Sequence, residues 1–215
     1  MRKNLTEIVF ILDRSGSMAG LEGDTIGGFN AMIEKQRLEP GEAYVSTILF
    51  DNESTVIHDR LNLDRVPRLT QKEYYVRGCT ALLDAVGGAI RHIANVHKYA
   101  REEDRPEKTL FVITTDGMEN ASRRYTYEMV RGLIEKQKRE HGWEFLFLGA
   151  NIDAAREAAR FGITEDRAVD YRPDRRGTRV IYETVSDTVM DFRAGKPMTA
   201  GWKKNIEEDF HSRKR

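Results

Sequence analysis

The stretch Ile8-Val9-Phe10-Ile11-Leu12-Asp13-Arg14-Ser15-Gly16-Ser17-Met18 decides how the chain is read. Five consecutive apolar residues, two Ile and one Val among them, predict a strand buried on both faces, as in a parallel sheet. Directly past its end a carboxylate and two hydroxyls stand at alternate positions, with Gly16 between the hydroxyls to allow a tight turn. An all-oxygen set suits a hard divalent cation, Mg²⁺ or Mn²⁺, and offers nothing soft for zinc or copper. One carboxylate with neutral hydroxyls would leave such a cation under-neutralised and open to an acidic group from outside. Ser, Gly and Asp after a strand are also ordinary capping and turn chemistry, so this run alone does not decide for a metal.

Two further segments bear on it. Thr109-Leu110-Phe111-Val112-Ile113-Thr114-Thr115-Asp116-Gly117 reads as a second buried strand, ending in Asp-Gly. In Gly78-Cys79-Thr80-Ala81-Leu82-Leu83-Asp84-Ala85 a hydroxyl stands just ahead of an apolar-periodic helix. In an open parallel sheet, ligands collect beyond the carboxyl ends of the strands, where strand order reverses. Asp13 and Asp116 share that edge if their strands are neighbours, and Thr80 can reach it from the adjoining loop.

The set Asp13-x-Ser15-x-Ser17, Thr80 and Asp116-Gly117, in that order, resembles the metal-ion-dependent adhesion site of a von Willebrand factor A domain. The resemblance covers roughly the first 190 residues, the size of one such domain. It implies that the two Ser and a Thr or an Asp contact a metal in alternation between closed and open states. It also implies that the first Asp acts partly through water, and that a Glu or Asp of a partner protein completes the octahedron. By the same resemblance Asp13, Ser15, Ser17, Thr80 and Asp116 take the metal-site roles, with Mg²⁺ or Mn²⁺ as the cofactor. Cys79 departs from the Gly that the family more often has there, and a side chain would stiffen the loop.

Composition sets the class. The chain has 215 residues, 40% of them apolar and 33% charged, which fits one globular domain with a full core. Lys plus Arg equals Asp plus Glu at 35 each, so no overall field favours nucleic acid or an anionic membrane. The basic stretch Arg172 to Arg179 and the end Ser212-Arg213-Lys214-Arg215 read as local solvated faces. No signal peptide and no bilayer-length apolar stretch is visible, and a lone Cys79 fits a reducing compartment. These features predict a cytoplasmic protein and a resemblance to the stand-alone bacterial type. That type acts as scaffold or adaptor, including with AAA-type ATPases, which is an implication of the resemblance only.

Strand and helix patterns alternate, predicting a doubly wound, mostly parallel α/β sheet with helices on both faces. Strands are expected over 7–12, 44–50, 54–63, 109–114, 144–148 and 168–171. Helices are expected over 24–37, 81–100, 127–139, 153–160 and about 176–192. Only Asp51-Asn52-Glu53 separates the second and third strands, too short for a crossover, so they should pair antiparallel at one edge. Gly195-Lys196-Pro197 breaks the pattern, giving a domain over 1–193 and an amphipathic tail over 194–215. In the tail Trp202, Ile206 and Phe210 draw one apolar stripe, expected to fold back on the domain; a detachable docking peptide is the alternative.

Other chemistries fit poorly. Ser17 lacks the G-x-S-x-G elbow, since Ser15 and Ala19 flank it at those spacings. A dehalogenase-type phosphotransferase would need a second Asp where Ser15 stands. The glycines at 20, 23, 27 and 28 precede no Walker lysine, and the five histidines show no zinc spacing. Cys79 reads as a small buried thiol. Arg14, Glu119 and Asn120 are expected on the rim of the site, with a helix cap as the competing role for Asn120. Two functions follow: a module that captures a partner's carboxylate through the cation, or a metal-dependent phosphatase or hydrolase using the same ion. The catalytic checklist is met so incompletely that the non-enzymatic module is preferred.

Overall fold

A computed structural model describes residues 1–213; Lys214 and Arg215 of the basic end lie outside the described residues. Along the chain run strand β1 (Arg2–Asp13), helix α1 (Glu22–Arg37), the hairpin β2 (Glu42–Phe50) and β3 (Ser54–Asn62), and helix α2 (Leu82–Tyr99). They are followed by β4 (Pro106–Thr115), α3 (Tyr127–His141), β5 (Glu144–Gly149), α4 (Ala154–Arg160), β6 (Ala168–Asp170), α5 (Arg175–Arg193) and α6 (Lys204–Ser212). The six strands form one sheet in the order β3-β2-β1-β4-β5-β6, parallel except for β3 at one edge. The fold is α/β, a mostly parallel sheet with an antiparallel edge strand and helices on both faces.

Each strand feeds two cores because its side chains alternate. On β1, Ile8, Phe10 and Leu12 meet Phe29, Met32 and Ile33 of α1 and Ile181, Val185 and Val189 of α5. Val9 and Ile11 face the other way, towards Leu82, Val86 and Ile90 of α2 and Val130 and Ile134 of α3. Each of these fully buried side chains contributes about 1.5–3 kcal/mol before entropy is subtracted. The central strand is thereby fixed in register, and with it the position of Asp13 at its carboxyl end.

β1 is longer than the sequence predicts, beginning at Arg2 instead of Glu7. Its polar first residues lie at the surface, and the pairing with β4 shifts register between Arg2 and Thr6, where Asn4 has a φ of 63°. The irregular segment between β3 and α2 is pinned from α1. Asn30 clamps Leu69, donating to its carbonyl (2.9 Å) and accepting from its N–H (2.8 Å). Arg37 donates to the carbonyls of Leu63 and Val66.

The tail helix α6 packs on α5 and β6. Ile206 is buried in the first core, with Trp202 and Met198 packed against it. Trp202 Nε1 donates to the Asp166 carbonyl (2.8 Å), and Lys203 Nζ to the carbonyls of Glu165 and Ala168 (both 2.9 Å). No helix among the described residues is long and apolar enough to cross a membrane.

Candidate metal centre

From β1 the chain steps outward to β2 and β3, then returns to lay β4 on the other side of β1. Strand order therefore reverses at the β1–β4 pair, which opens a crevice at their carboxyl ends. Leu12 lies opposite Thr114, so Asp13 and Asp116 fall at adjacent strand ends. Both carboxylates are buried, at 1% and 2% exposure. Asp13 Oδ1 accepts from the Ser15 N–H (2.7 Å), while Oδ2 accepts from Thr115 Oγ1 (2.8 Å) and the Asp116 N–H (3.2 Å). Asp116 accepts from the Asn151 side-chain amide. Burial pushes the Asp13 carboxyl up, against the pull of the bonds from Ser15, Thr115 and Asp116. Asp116 is pushed up to about 6; burial is the main cause, the Asn151 amide opposes it, and the Asp13 charge adds to it.

Three hydroxyls gather above this pair. Ser15 Oγ and Ser17 Oγ are 3.1 Å apart. A Cβ placed on Gly117 would lie 3.5 Å from Thr80 Oγ1 and 3.7 Å from Ser17 Oγ, so the bare glycine leaves a cradle between them. Gly16 matters for a different reason. Its N–H donates to the Gly78 carbonyl (3.1 Å), and a Cβ would come within 3.3 Å of that oxygen, so a small residue lets the two loops meet. Asn120 fixes the third loop, accepting from the Thr80 N–H (2.9 Å) and donating its own N–H to the Thr80 carbonyl (3.0 Å).

Among the described residues no Lys, Arg or His side chain hydrogen-bonds to Asp13 or Asp116. Two buried carboxylates beside three hydroxyls, without a cation of the protein's own, fit the donor set of a hard divalent ion. No group of three or more His, Cys, Asp and Glu side chains is gathered among the described residues, so a metal here would depend on the hydroxyls.

The five residues read as metal-site candidates thus come together, while of the three residues expected on the rim Arg14 turns inward, Glu119 is half-buried and Asn120 is exposed beside Thr80. Arg14 is buried at 3% exposure. Alternation along the extended chain turns it away from Asp13 and Ser15, towards Asp51 at the end of β2. There Nε donates to Asp51 Oδ2 (2.8 Å) and the other nitrogens to the Glu73 carbonyl and Thr55 Oγ1. Glu119 is half-buried and spends its carboxylate on the N–H groups of Leu83, Ala121 and Ser122, tying the start of α2 to the Asp116 loop. Asn120 does not cap the following helix: Thr126 caps α3. Cys79, expected buried, is exposed.

Three further groups, outside the sequence motif, position the two carboxylates. Thr115 holds Asp13 from the neighbouring strand, Tyr74 donates its hydroxyl to the Asp13 carbonyl (2.5 Å), and Asn151 holds Asp116. For Asn151 a signal existed: it follows the end of β5, the next strand along the same edge. Tyr74 sits in an irregular segment and carries no such signal.

No protein-family model matches the sequence, and no curated protein matches it. Solved structures do match. The von Willebrand factor domain of the type V pili tip protein Mfa5 from Porphyromonas gingivalis superposes with a TM-score of 0.61 at 10% identity, over 86% of this chain and 94% of that one. The chain has the von Willebrand factor A fold. The same fold is found in the pilus adhesin SpaC from Lactobacillus rhamnosus GG (TM-score 0.61, 13% identity, 87% of this chain). It also occurs in proximal thread matrix protein 1 of the mussel byssus, solved with a zinc-occupied MIDAS motif (TM-score 0.57, 16% identity, 86% of this chain). The chain spans 46% of the mussel protein and 30% of the adhesin. At these identities the likeness is one of the von Willebrand factor A fold.

Proposed function

We propose that the chain is a protein-binding module, not an enzyme, whose metal centre captures a carboxylate of a protein partner. In this reading Ser15, Ser17 and Thr80 offer their hydroxyls to a Mg²⁺ or Mn²⁺ ion, and Asp13 and Asp116 supply its counter-charge. The bound cation would provide an electrophilic point that accepts an Asp or Glu from the partner. Asp13 is held rigid by three hydrogen bonds, so its charge is pre-placed and the loops need little ordering on binding. Thr115 and Asn151 act as positioning groups for the two carboxylates. The observation that carries the reading is the pair of buried, uncompensated carboxylates under a cradle of three hydroxyls.

Among the described residues no His, Lys or Arg side chain hydrogen-bonds to those hydroxyls, which favours capture over turnover. Bacterial cytoplasmic adaptor work, including with AAA-type ATPases, belongs to this proposal as an implication of the motif resemblance. Calorimetric titration with Mn²⁺, followed by a glycine–serine peptide carrying one Glu, tests the reading. Heat is expected in both steps for the wild type and in neither for Asp13→Ala. Folded wild type that gives no heat with Mn²⁺ or Mg²⁺ would overturn it.

A further inference from the structure

Beside the metal centre lies a cleft of about 680 Å³, bounded by the loop before α4, the loop between β6 and α5, and Phe210 of the tail helix. Asn151 lines this cleft and also holds Asp116, so the cleft adjoins the candidate metal centre. Met118 lines it too, two residues past Asp116 and 60% exposed.

The charges of the cleft are unevenly used. Its acids are committed within the fold. Asp153 Oδ1 accepts from the Arg156 N–H (2.9 Å) and Asp170 Oδ1 from the Ala154 N–H (2.9 Å), while Glu157 takes the Tyr127 hydroxyl and pairs with Arg160. Of its three arginines, Arg160 is spent on Glu157 and on the face of Tyr127. Arg172 reaches only the Phe210 carbonyl and ring. The Arg156 head, exposed, has no hydrogen bond or ion pair among the described residues. Asp153 and Asp170 are held at the start of α4 by its N–H groups, and two guanidinium groups therefore line the cleft without an ion-pair partner among the described residues, next to a polarisable apolar side chain.

We propose that this cleft reads a second acidic side chain of the same partner, bound by Arg156, so that the partner is an acidic protein segment held at two points. The proposal rests on the carboxylate-capture reading above. Met118 would pack against the aliphatic part of the segment between the two acids. Arg156 then selects for acidic sequence context, which a cation alone does not, since the ion accepts any exposed carboxylate.

The test uses fluorescence anisotropy on the full chain with Mn²⁺, with metal occupancy followed separately by electron paramagnetic resonance. The probes are labelled glycine–serine peptides carrying one Glu, or a second Glu placed two to five residues further on. At least one two-acid peptide should bind about four- to tenfold more tightly than the one-acid peptide: twofold because either carboxylate can reach the cation, and about two- to fivefold more from a single exposed ion pair. That advantage should fall to the statistical twofold in Arg156→Ala and lower still in Arg156→Glu, with Mn²⁺ occupancy and one-acid binding unchanged. An advantage above twofold that survives in Arg156→Glu, or that never appears although the one-acid peptide binds, overturns the cleft proposal alone. Failure of both peptides while Mn²⁺ is bound overturns carboxylate capture as well. A labelled oligothymidylate whose binding depends on Arg156 would assign the cleft to phosphate and overturn the acidic segment.

Discussion

Asp13 and Asp116 lie side by side in the interior with no cation of the protein against them, and that arrangement costs the fold stability. An amide at position 116 keeps the oxygen that accepts from Asn151 and removes one charge. Asp116→Asn is therefore expected to stabilise the metal-free protein by about 1–3 kcal/mol while weakening its response to Mn²⁺. Melting in chelator against melting in Mn²⁺ measures both effects, and a variant that melts lower in chelator contradicts the account. Arg14 shows the opposite balance. Its guanidinium and Asp51 form a buried pair at 2.8 Å, so Arg14→Ala should cost about 3 kcal/mol in denaturant titration. Arg77 makes the same 2.8 Å contact to Asp51 from a half-exposed position, and Arg77→Ala should cost much less than Arg14→Ala. Burial pushes the Asp51 carboxyl up, but the bonds from Arg77 and Arg14 outweigh it and leave it below its ordinary value. A depressed carboxylate stabilises the fold above its unfolded value near 3.8 and loses that contribution as pH falls through the folded value. The gap between wild type and Arg14→Ala should therefore narrow on acidification below about pH 4.

At the scale of elements, what the sequence shows and hides has physical causes. Val9 and Ile11 on one face and Phe10 and Leu12 on the other make β1 legible, because a strand covered on both sides must be apolar throughout. The same rule hides its start, since Arg2 pairs with Pro106 and Asn4 donates its N–H to the Glu107 side chain in a polar segment at the surface that looks like a loop. The metal-site residues were legible because their types repeat at fixed offsets from strand ends. The inward turn of Arg14 was not, because its partner Asp51 lies 37 residues away in the turn between β2 and β3. Cys79 misled because thiols are usually buried, whereas here it rides on a loop held from outside by Asn52. The tail stripe could be read as a helix, and what it covers only from β6 and α5. Ile206 is 1% exposed against that surface, so Ile206→Ala should cost about 2–4 kcal/mol. Deleting residues 195–215 should lower the melting temperature further and expose an apolar patch that binds a hydrophobic dye. A truncated chain that melts with the full one would show that α6 adds nothing to the core and would favour a docking role for it.

For the molecule as a whole, the candidate metal centre is a product of folding. Its oxygens come from the loops after β1, after β3 and after β4, brought to one edge by a sheet whose order reverses there. Unfolding separates Ser15 from Thr80 and Asp116, so a cation bound by this set binds the native state and not the unfolded chain. At a concentration one hundred times its dissociation constant it would add about 2.7 kcal/mol to the unfolding free energy. For a domain of this size that is a rise of roughly 5–10 °C in melting temperature. Formal net charge is +0, so diffuse attraction of cations to the surface should add little, and monovalent salt at matched ionic strength should leave the midpoint in place. Replacing both hydroxyls, Ser15→Ala with Ser17→Ala, removes two of the oxygens and leaves the buried carboxylates, so the metal-free midpoint should change little while the Mn²⁺ rise is lost. The Ser15 N–H that holds Asp13 is backbone and survives the change. Differential scanning fluorimetry in chelator, Na⁺, Mg²⁺ and Mn²⁺ reads all four states on one instrument. An equal rise in the double variant and the wild type would mean that the cation binds elsewhere, and the hydroxyl cradle would lose its claim to it.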